Sequence, residues 1–330
     1  MSKQKILAIL QKNAGSFISG EAISQQLGIS RAAVSKAVGS LRGEGYEIRS
    51  VTNRGYCLCA APDSLTEGEI LPWLSADHVG RSLLVFQSID STNNYLKREE
   101  EHLPSGTVAV ANEQTGGRGR RGRTFQSPGE VGVYLSALLR PDVEPAKALD
   151  LTAYVAVAVC EGIEAATGLQ PEIKWTNDIV IQGRKICGIL TEMMLESESM
   201  TLRSIVTGIG INVNQREEDF PEDIRAMAGS LAMMTGAPVR RGRLTAEIIN
   251  ALDRMYTDWS AGGTDYLERY RRRCLTLGRE VQLLHPDDTV EPAFAEDVDE
   301  QFGLVVRMPD GTRRTVTSGE VSVRGLYGYV

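Results

Sequence analysis

The chain has 330 residues, 42% hydrophobic and 24% charged, with a formal net charge of −7. That is ordinary globular usage, which excludes a disordered or fibrous chain; at roughly 100–200 residues per domain it predicts two or three domains. No run approaches the ~18 consecutive apolar residues of a membrane span, so no membrane partner is expected.

Met1 to Leu10 carries two lysines and then a helical pattern, without the apolar stretch and cleavage site of a signal peptide. Ile6, Leu7 and Leu10 mark a first helix. Ser19 is placed to cap a second, with Ala22, Ile23 and Leu27. Gly28-Ile29 makes a tight turn, and Ser30 caps a third helix with a buried stripe of Val34, Ala37, Val38 and Leu41. Two β-prone runs, Tyr46 to Val51 and Tyr56 to Leu58, flank Asn53-Arg54-Gly55 as a hairpin, which completes a winged helix-turn-helix over residues 1–62. Residues 1–60 hold eight Lys/Arg against three Glu, a local charge of +5, so the remaining 270 sum to −12. That asymmetry predicts a polyanion partner, DNA, for this end alone and disfavours a winged helix that binds only protein. With the third helix in a major groove, Ser30, Arg31, Ala32, Ser35 and Lys36 face the bases, and Arg49 and Arg54 reach backbone phosphates.

Ala60 to Ser64 reads as a linker, and Thr66-Glu67-Gly68-Glu69 as a capping box that starts the next helix. Residues 65–275 then alternate strand and helix signals. Strands are expected at 83–87, 107–112, 131–139, 171–175, 178–182, 185–195 and 201–213, and helices at 92–101, 145–167, 221–235, 243–260 and 264–274. Paired strands dominate, so the fold class is α+β with a central mixed sheet. Residues 276–330 carry only short strands, with a turn at Asp310-Gly311, and read as a small β-barrel. The five cysteines, Cys57, Cys59, Cys160, Cys187 and Cys274, are odd in number and form no CxxC pair; structural thiols in a reducing cytoplasm are the expectation.

Three motifs stand out. Gly116 to Arg123 packs four arginines and four glycines into eight residues. Glycines let backbone approach a ligand closely, and arginines offer planar donor forks to phosphate and carboxylate. An RG-type nucleic-acid tract is the alternative, but such tracts recur in disordered regions, whereas this one is single and sits between strands. Lys174-Trp175-Thr176-Asn177-Asp178 lies across a hairpin from Arg184-Lys185; beside an anion-binding loop these cations are suited to charge developing in phosphoryl or nucleotidyl transfer, whereas taken alone they favour an exposed charged hairpin. Gly208-Ile-Gly-Ile-Asn212 is weak by itself and is no dinucleotide fingerprint, because no helix follows it directly.

Taken together, Asp90-Ser91-Thr92-Asn93, Glu113-Gln114, Gly117 to Arg123 with Ser127-Pro128, Lys174-Trp175-x-Asn177-Asp178, Lys185 and Gly208 to Asn212 resemble, in order, the motifs of biotin–protein ligases. With the helix-turn-helix in front, the whole chain resembles the bifunctional ligases that also repress biotin synthesis genes. Two positions depart from the pattern: Thr176 stands where the family usually has proline, and Phe125 where tryptophan is common.

The resemblance implies a class II synthetase-like ligase sheet and an SH3-like C-terminal barrel. It implies an AMP-forming reaction in which biotin and ATP, with Mg2+, give biotinyl-5'-AMP, and biotin then passes to a lysine of a biotin carboxyl carrier protein. Carried over residue by residue, it assigns biotin binding to Ser91, Thr92, Asn93, Gln114, Gly117, Arg118, Gly119, Arg120 and Lys185. ATP binding falls to Arg118, Arg121, Arg123, Lys174, Asn177 and Asn212, and catalysis to Lys185, Arg120 and Asp178. No Mg2+ ligand is assigned. It further implies operator DNA as a partner and a homodimer when the adenylate is bound. A lipoate-type ligase and a non-catalytic biotin-sensing transcription factor are the alternatives.

Overall fold

The N-terminal helices form where their caps predict. In the computed structural model, α1 (Ser2–Lys12), α2 (Gly20–Leu27) and α3 (Arg31–Gly43) enclose a core of Ile6, Leu10, Ile23, Val34, Val38 and Leu41. Ser19 Oγ accepts from Ala22 N at 3.0 Å and Ser30 Oγ from Ala33 N at 3.2 Å; Gly28 ends α2 at φ +63°. The wing is β1 (Glu47–Val51) antiparallel to β2 (Gly55–Ala60). Gly55 turns it at φ +95°, where a Cβ would lie 2.1 Å from Ile18 O, so only glycine fits. Arg42 donates to Ile48 O and Ser50 Oγ, tying α3 to the wing. The described residues are 2–60, 62–196, 198–263, 265–285, 289–317 and 322–325.

The expected capping box at Thr66 does not form. Thr66 precedes the short α4 (Glu67–Ile70) without a side-chain cap, and the Glu69 carboxylate instead accepts from buried Tyr46 OH. Burial raises the Tyr46 pKa first and the adjacent carboxylate adds to it, so the phenol stays a donor. Gly68, Glu69 and Ile70 are all buried, and one compact unit spans Met1–Leu74.

The second unit, Ser75–Val330, is built on a seven-stranded sheet. Its strands are β3 (Ser82–Phe86), β4 (Thr107–Ala111), β5 (Gly132–Leu139), β6 (Glu172–Lys174), β7 (Asp178–Ile181), β8 (Arg184–Leu195) and β9 (Leu202–Asn212). The order is β3-β4-β5-β9-β8-β7-β6; β3 and β4 are parallel and every other pair is antiparallel, the mixed sheet the pattern predicts. Between strands run α5 (Thr92–Arg98), α6 (Pro145–Ala148) and α7 (Leu151–Thr167). After β9 come α8 (Glu222–Arg225), α9 (Leu231–Thr235), α10 (Arg241–Ser260) and α11 (Asp265–Arg273). α7 is almost wholly buried, from Leu151 to Ile163, and α10 buries one stripe. Asp253 on α10 accepts from the backbone N–H of Asp77, His78 and Val79, and Asn250 Oδ1 from Ser75 N.

Two helices expected to be continuous are each broken. The 145–167 helix divides at Leu149–Asp150, where the Asp150 carboxylate accepts from Trp259 Nε1 and Lys147 Nζ. The 221–235 helix divides because residues 227–229 are drawn out beside Lys185: Lys185 N donates to Met227 O at 2.7 Å, and Gly229 N to Lys185 O at 3.0 Å. Ser230 then caps α9 through Met233 N.

The C-terminal strands β10 (Glu280–Leu284), β11 (Val290–Val298), β12 (Leu304–Arg307), β13 (Arg313–Val316) and β14 (Ser322–Gly325) form an antiparallel sheet ordered β13-β12-β11-β10-β14. β14 lacks a clear local strand signal and is fixed by its antiparallel pairing with β10.

Candidate active site

The sheet supplies the floor of a pocket of about 600 Å3 lined only by residues of the second unit. Gly188 on β8 and Gly208 and Gly210 on β9 open the room above it. A Cβ on Gly208 would lie 2.1 Å from Asn93 Oδ1, and one on Gly210 would lie 2.6 Å from the Phe125 ring. The weak GxGxN motif is therefore a surface cut for two neighbours: Asn93 enters over one glycine and Phe125 over the other.

Ser91 caps α5 through Asn94 N and, with Thr92 and Asn93, is buried at the pocket wall. Gln114 Oε1 accepts from Thr92 N (2.8 Å) and Thr92 Oγ1 (3.1 Å), and Thr92 Oγ1 lies 2.6 Å from Ser136 Oγ. Ser136, fully buried on β5, also reaches Asn93 Oδ1 at 2.6 Å. Asn93 Nδ2 donates to Leu190 O and to Glu192 Oε2 at 2.9 Å. This is a preorganised polar end, suited to a ligand with paired donors and acceptors.

The glycine–arginine loop closes above it. Phe125 N donates to Gly117 O at 3.0 Å, and a Cβ on Gly117 would lie 2.3 Å from Phe125 O, so glycine lets the loop fold back on itself. Arg118, Gly119, Arg120, Arg123, Thr124 and Phe125 line the pocket; Gly117 does not, and the Arg121 side chain lies outside the described residues. Arg120 Nη1 donates to Asn177 Oδ1 at 3.0 Å, and Arg118 Nη1 to Asn94 Oδ1 at 3.1 Å.

Across the pocket, Lys174 pairs in register with Asp178, whose carboxylate meets Lys185 Nζ at 2.6 Å. Lys174 is 6% exposed. Both main-chain groups of Lys185 are held by the 227–229 segment, so its ammonium projects from a fixed backbone. The Trp175–Thr176 peptide is cis, Thr176 O accepts from Tyr270 OH, and Trp175 Nε1 donates to Phe302 O. Lys174, Asn177, Asp178 and Lys185 all line the cavity. Asn212 does not: buried, it donates to Gly229 O and accepts from Gln215, holding the segment that pins Lys185. Ser136, Glu192 and Val323 were missed by the sequence reading, because nothing local distinguishes a buried strand serine, a strand glutamate or a β14 valine. Among the described residues no group of three or more His, Cys, Asp or Glu is arranged to hold a metal ion.

On the first unit Ser30, Arg31, Ala32, Ser35 and Lys36 lie exposed along α3, and Arg49 and Arg54 are exposed on the wing, Arg54 over the Phe17 ring at 4.3 Å.

A mixed sheet whose pocket pairs a neutral polar end with a ring of cations is the geometry of an enzyme that binds one polar ligand beside a polyanion. The Biotin/lipoate A/B protein ligase family matches residues 85–212, an HTH domain residues 2–57, and a Biotin protein ligase C terminal domain residues 276–324. The Bifunctional ligase/repressor BirA of Bacillus spizizenii is 42% identical over 263 residues, 79% of this chain and 80% of that protein. The protein of the same name from Escherichia coli K12 is 32% identical over 97% of this chain and 96% of its own length. A solved structure, a biotin protein ligase from Aquifex aeolicus in complex with biotin and ATP, superposes with a TM-score of 0.64 at 30% identity, covering 74% of this chain and 99% of that one. The chain belongs to the biotin/lipoate A/B protein ligase family. With its helix-turn-helix in front of the ligase sheet, it belongs there with the bifunctional ligase/repressors.

Proposed function

We propose that this chain activates biotin with ATP, transfers it to a carrier-protein lysine, and represses biotin genes through its N-terminal unit. One observation carries the ligase reading: the Gln114–Thr92–Ser136–Asn93 network and the cations Arg118, Arg120, Lys174 and Lys185 converge on one pocket. The neutral end hydrogen-bonds the ureido ring through Ser91, Thr92 and Gln114, and the apolar floor takes the fused rings. The biotin carboxylate attacks the α-phosphorus of ATP and pyrophosphate leaves. Lys185 and Arg120 meet the charge that peaks on the phosphorus in the transition state. Arg118, Arg123, Lys174 and Asn177 hold the nucleotide. The carrier lysine then attacks the acyl carbon, AMP leaves, and Asp178 orients the incoming amine. Magnesium, supplied with ATP, would neutralise phosphate charge during the transfer, and no residue of this chain is assigned to hold it. We assign the winged helix to residues 1–62, extended by the segment to Leu74 that packs with it, the ligase to 75–275 and the barrel domain to 276–330. No helix among the described residues is long and apolar enough to cross a membrane. A reaction that consumes ATP and modifies a carboxylase carrier belongs in the cytoplasm.

The test is to incubate the protein with biotin, MgATP and a biotin carrier domain, and to weigh the carrier. A biotinyl adduct on one lysine is expected; activity with lipoate alone points to the alternative ligase, and no adduct with either ends the enzymatic reading.

For the reader unit, Arg49→Ala with Arg54→Ala on the wing is expected to weaken operator binding and reduce the slope of log affinity against log salt by about one per lost phosphate contact. Gel-shift titrations over a salt series check it; an unchanged slope removes both residues from the interface. One winged helix makes few contacts, so binding as a homodimer on a two-fold operator is expected, favoured when biotinyl-5'-AMP orders the glycine loop. Sedimentation and operator binding, each with and without biotin plus ATP, test the coupling; equal values in both conditions refute it.

A further inference from the structure

Outside the groups already given roles, one carboxylate gathers three partners from two different elements. Glu192 lies on β8, its side chain 22% exposed. Its Oε2 accepts from Asn93 Nδ2 at 2.9 Å, and its Oε1 sits 2.7 Å from Lys97 Nζ and 3.5 Å from Arg118 Nη1. Asn93 and Lys97 belong to α5, Arg118 to the glycine–arginine loop.

Asn93 spends its side chain inward. Its Nδ2 serves Leu190 O and Glu192, its Oδ1 takes Ser136 Oγ, and the missing Cβ of Gly208 gives it room. Asn93 thus shapes the pocket wall through a network that Glu192 terminates. Arg118 is the reverse case: 47% exposed, its side chain bonds Asn94 on α5 and Glu192 on the sheet.

We propose that Glu192 is a positioning residue that docks the glycine–arginine loop through Arg118 and fixes Asn93 before ligand arrives, so that it sets biotin affinity without touching biotin. The proposal rests on the biotin-ligase reading above. Burial of Glu192 favours its neutral form, but the hydrogen bonds from Lys97 and Asn93 and the charges of Lys97 and Arg118 outweigh it and hold the carboxyl below its usual range. It is a carboxylate at neutral pH and keeps its charge for Arg118. Lys97 competes for that charge at the shorter distance, so the two cations share one anion. Removing Glu192's charge weakens its hold on both the loop and the asparagine; removing Lys97's leaves Arg118 as the carboxylate's one charged partner among the described residues.

The two changes are therefore expected to separate, E192Q raising the KM and K97M not, a split that a merely structural carboxylate would not give. In the full-length protein, E192Q is expected to raise the KM for biotin about tenfold, the change that accompanies ~1.4 kcal/mol, with kcat within about threefold, the span of ~0.7 kcal/mol. It is also expected to speed tryptic cleavage of the loop in the absence of ligand. K97M is expected to leave KM unchanged or lower it. Thermal melts identify any variant that does not fold, and K97M alone still decides in that case, since a rise in its KM overturns the proposal. So does an E192Q enzyme with wild-type KM and wild-type cleavage, or a rise of similar size in both variants. Wild-type enzyme that forms no adenylate with biotin defeats the ligase reading instead, a result recognisable before any variant is measured.

Discussion

Replacing Lys185 with alanine is expected to slow biotin adenylation by roughly 10²–10³ while biotin affinity changes far less, the loss typical of removing one preorganised donor from developing charge. The split follows from geometry. Lys185 reaches Asp178 across the β7–β8 hairpin, on the cationic side of the cavity, whereas the Gln114–Thr92–Ser136 network at the neutral end contains no part of it. Its backbone contacts with Met227 and Gly229 use only main-chain atoms and survive the substitution, so the fold is expected to hold. Single-turnover release of pyrophosphate and calorimetric titration with biotin measure the two quantities separately. Adenylation at the wild-type rate would take Lys185 out of the chemistry.

Gly208→Ala is expected to destabilise the ligase unit by ~1–3 kcal/mol, the usual range for overpacking a dense site, and to weaken biotin binding with it. Gly208 pairs with Ser136 on one side and Leu190 on the other, and both of those residues hydrogen-bond Asn93. The new methyl, 2.1 Å from Asn93 Oδ1, must expel the amide and break all of its bonds together. Gly210→Ala meets the Phe125 ring, which belongs to a loop and can yield, so its stability loss is expected to be smaller. Chemical denaturation of the two variants side by side checks the order; equal losses, or none, would show that Asn93 is not wedged in place.

Much of this architecture was legible in residue patterns because it follows from local rules. Ser19 and Ser30 are caps whatever surrounds them, and Gly28 ends α2 in the left-handed region that glycine favours. Long-range competition was not legible. Glu69 looks like the partner of Thr66 three residues before it, yet a tyrosine 23 residues upstream takes its carboxylate. The 221–235 segment looks like one helix, yet Lys185, some forty residues earlier, pulls its middle into an extended pairing. In the site, charged and glycine-rich stretches announced themselves, whereas Ser136 and Glu192 are ordinary strand residues whose importance is set by what α5 lays over them. Asn212 shows the converse: it stands in a conspicuous motif, but the fold turns it away from the cavity to support Lys185 from behind.

The grip of α10 on the chain at Ser75 to Val79 has an evolutionary corollary. Four backbone amides are captured there by two side chains, Asn250 and Asp253, which makes the first residues after Leu74 a permanent part of the enzyme rather than slack between modules. A gene shortened to end its upstream module at Leu74 would keep every one of those contacts. A gene shortened five codons further would forfeit them all, and α10 would be left with an amide and a carboxylate facing nothing they were selected to hold. The bond between Leu74 and Ser75 is therefore the point at which a lineage could shed or acquire a DNA reader without loosening α10's hold on the chain.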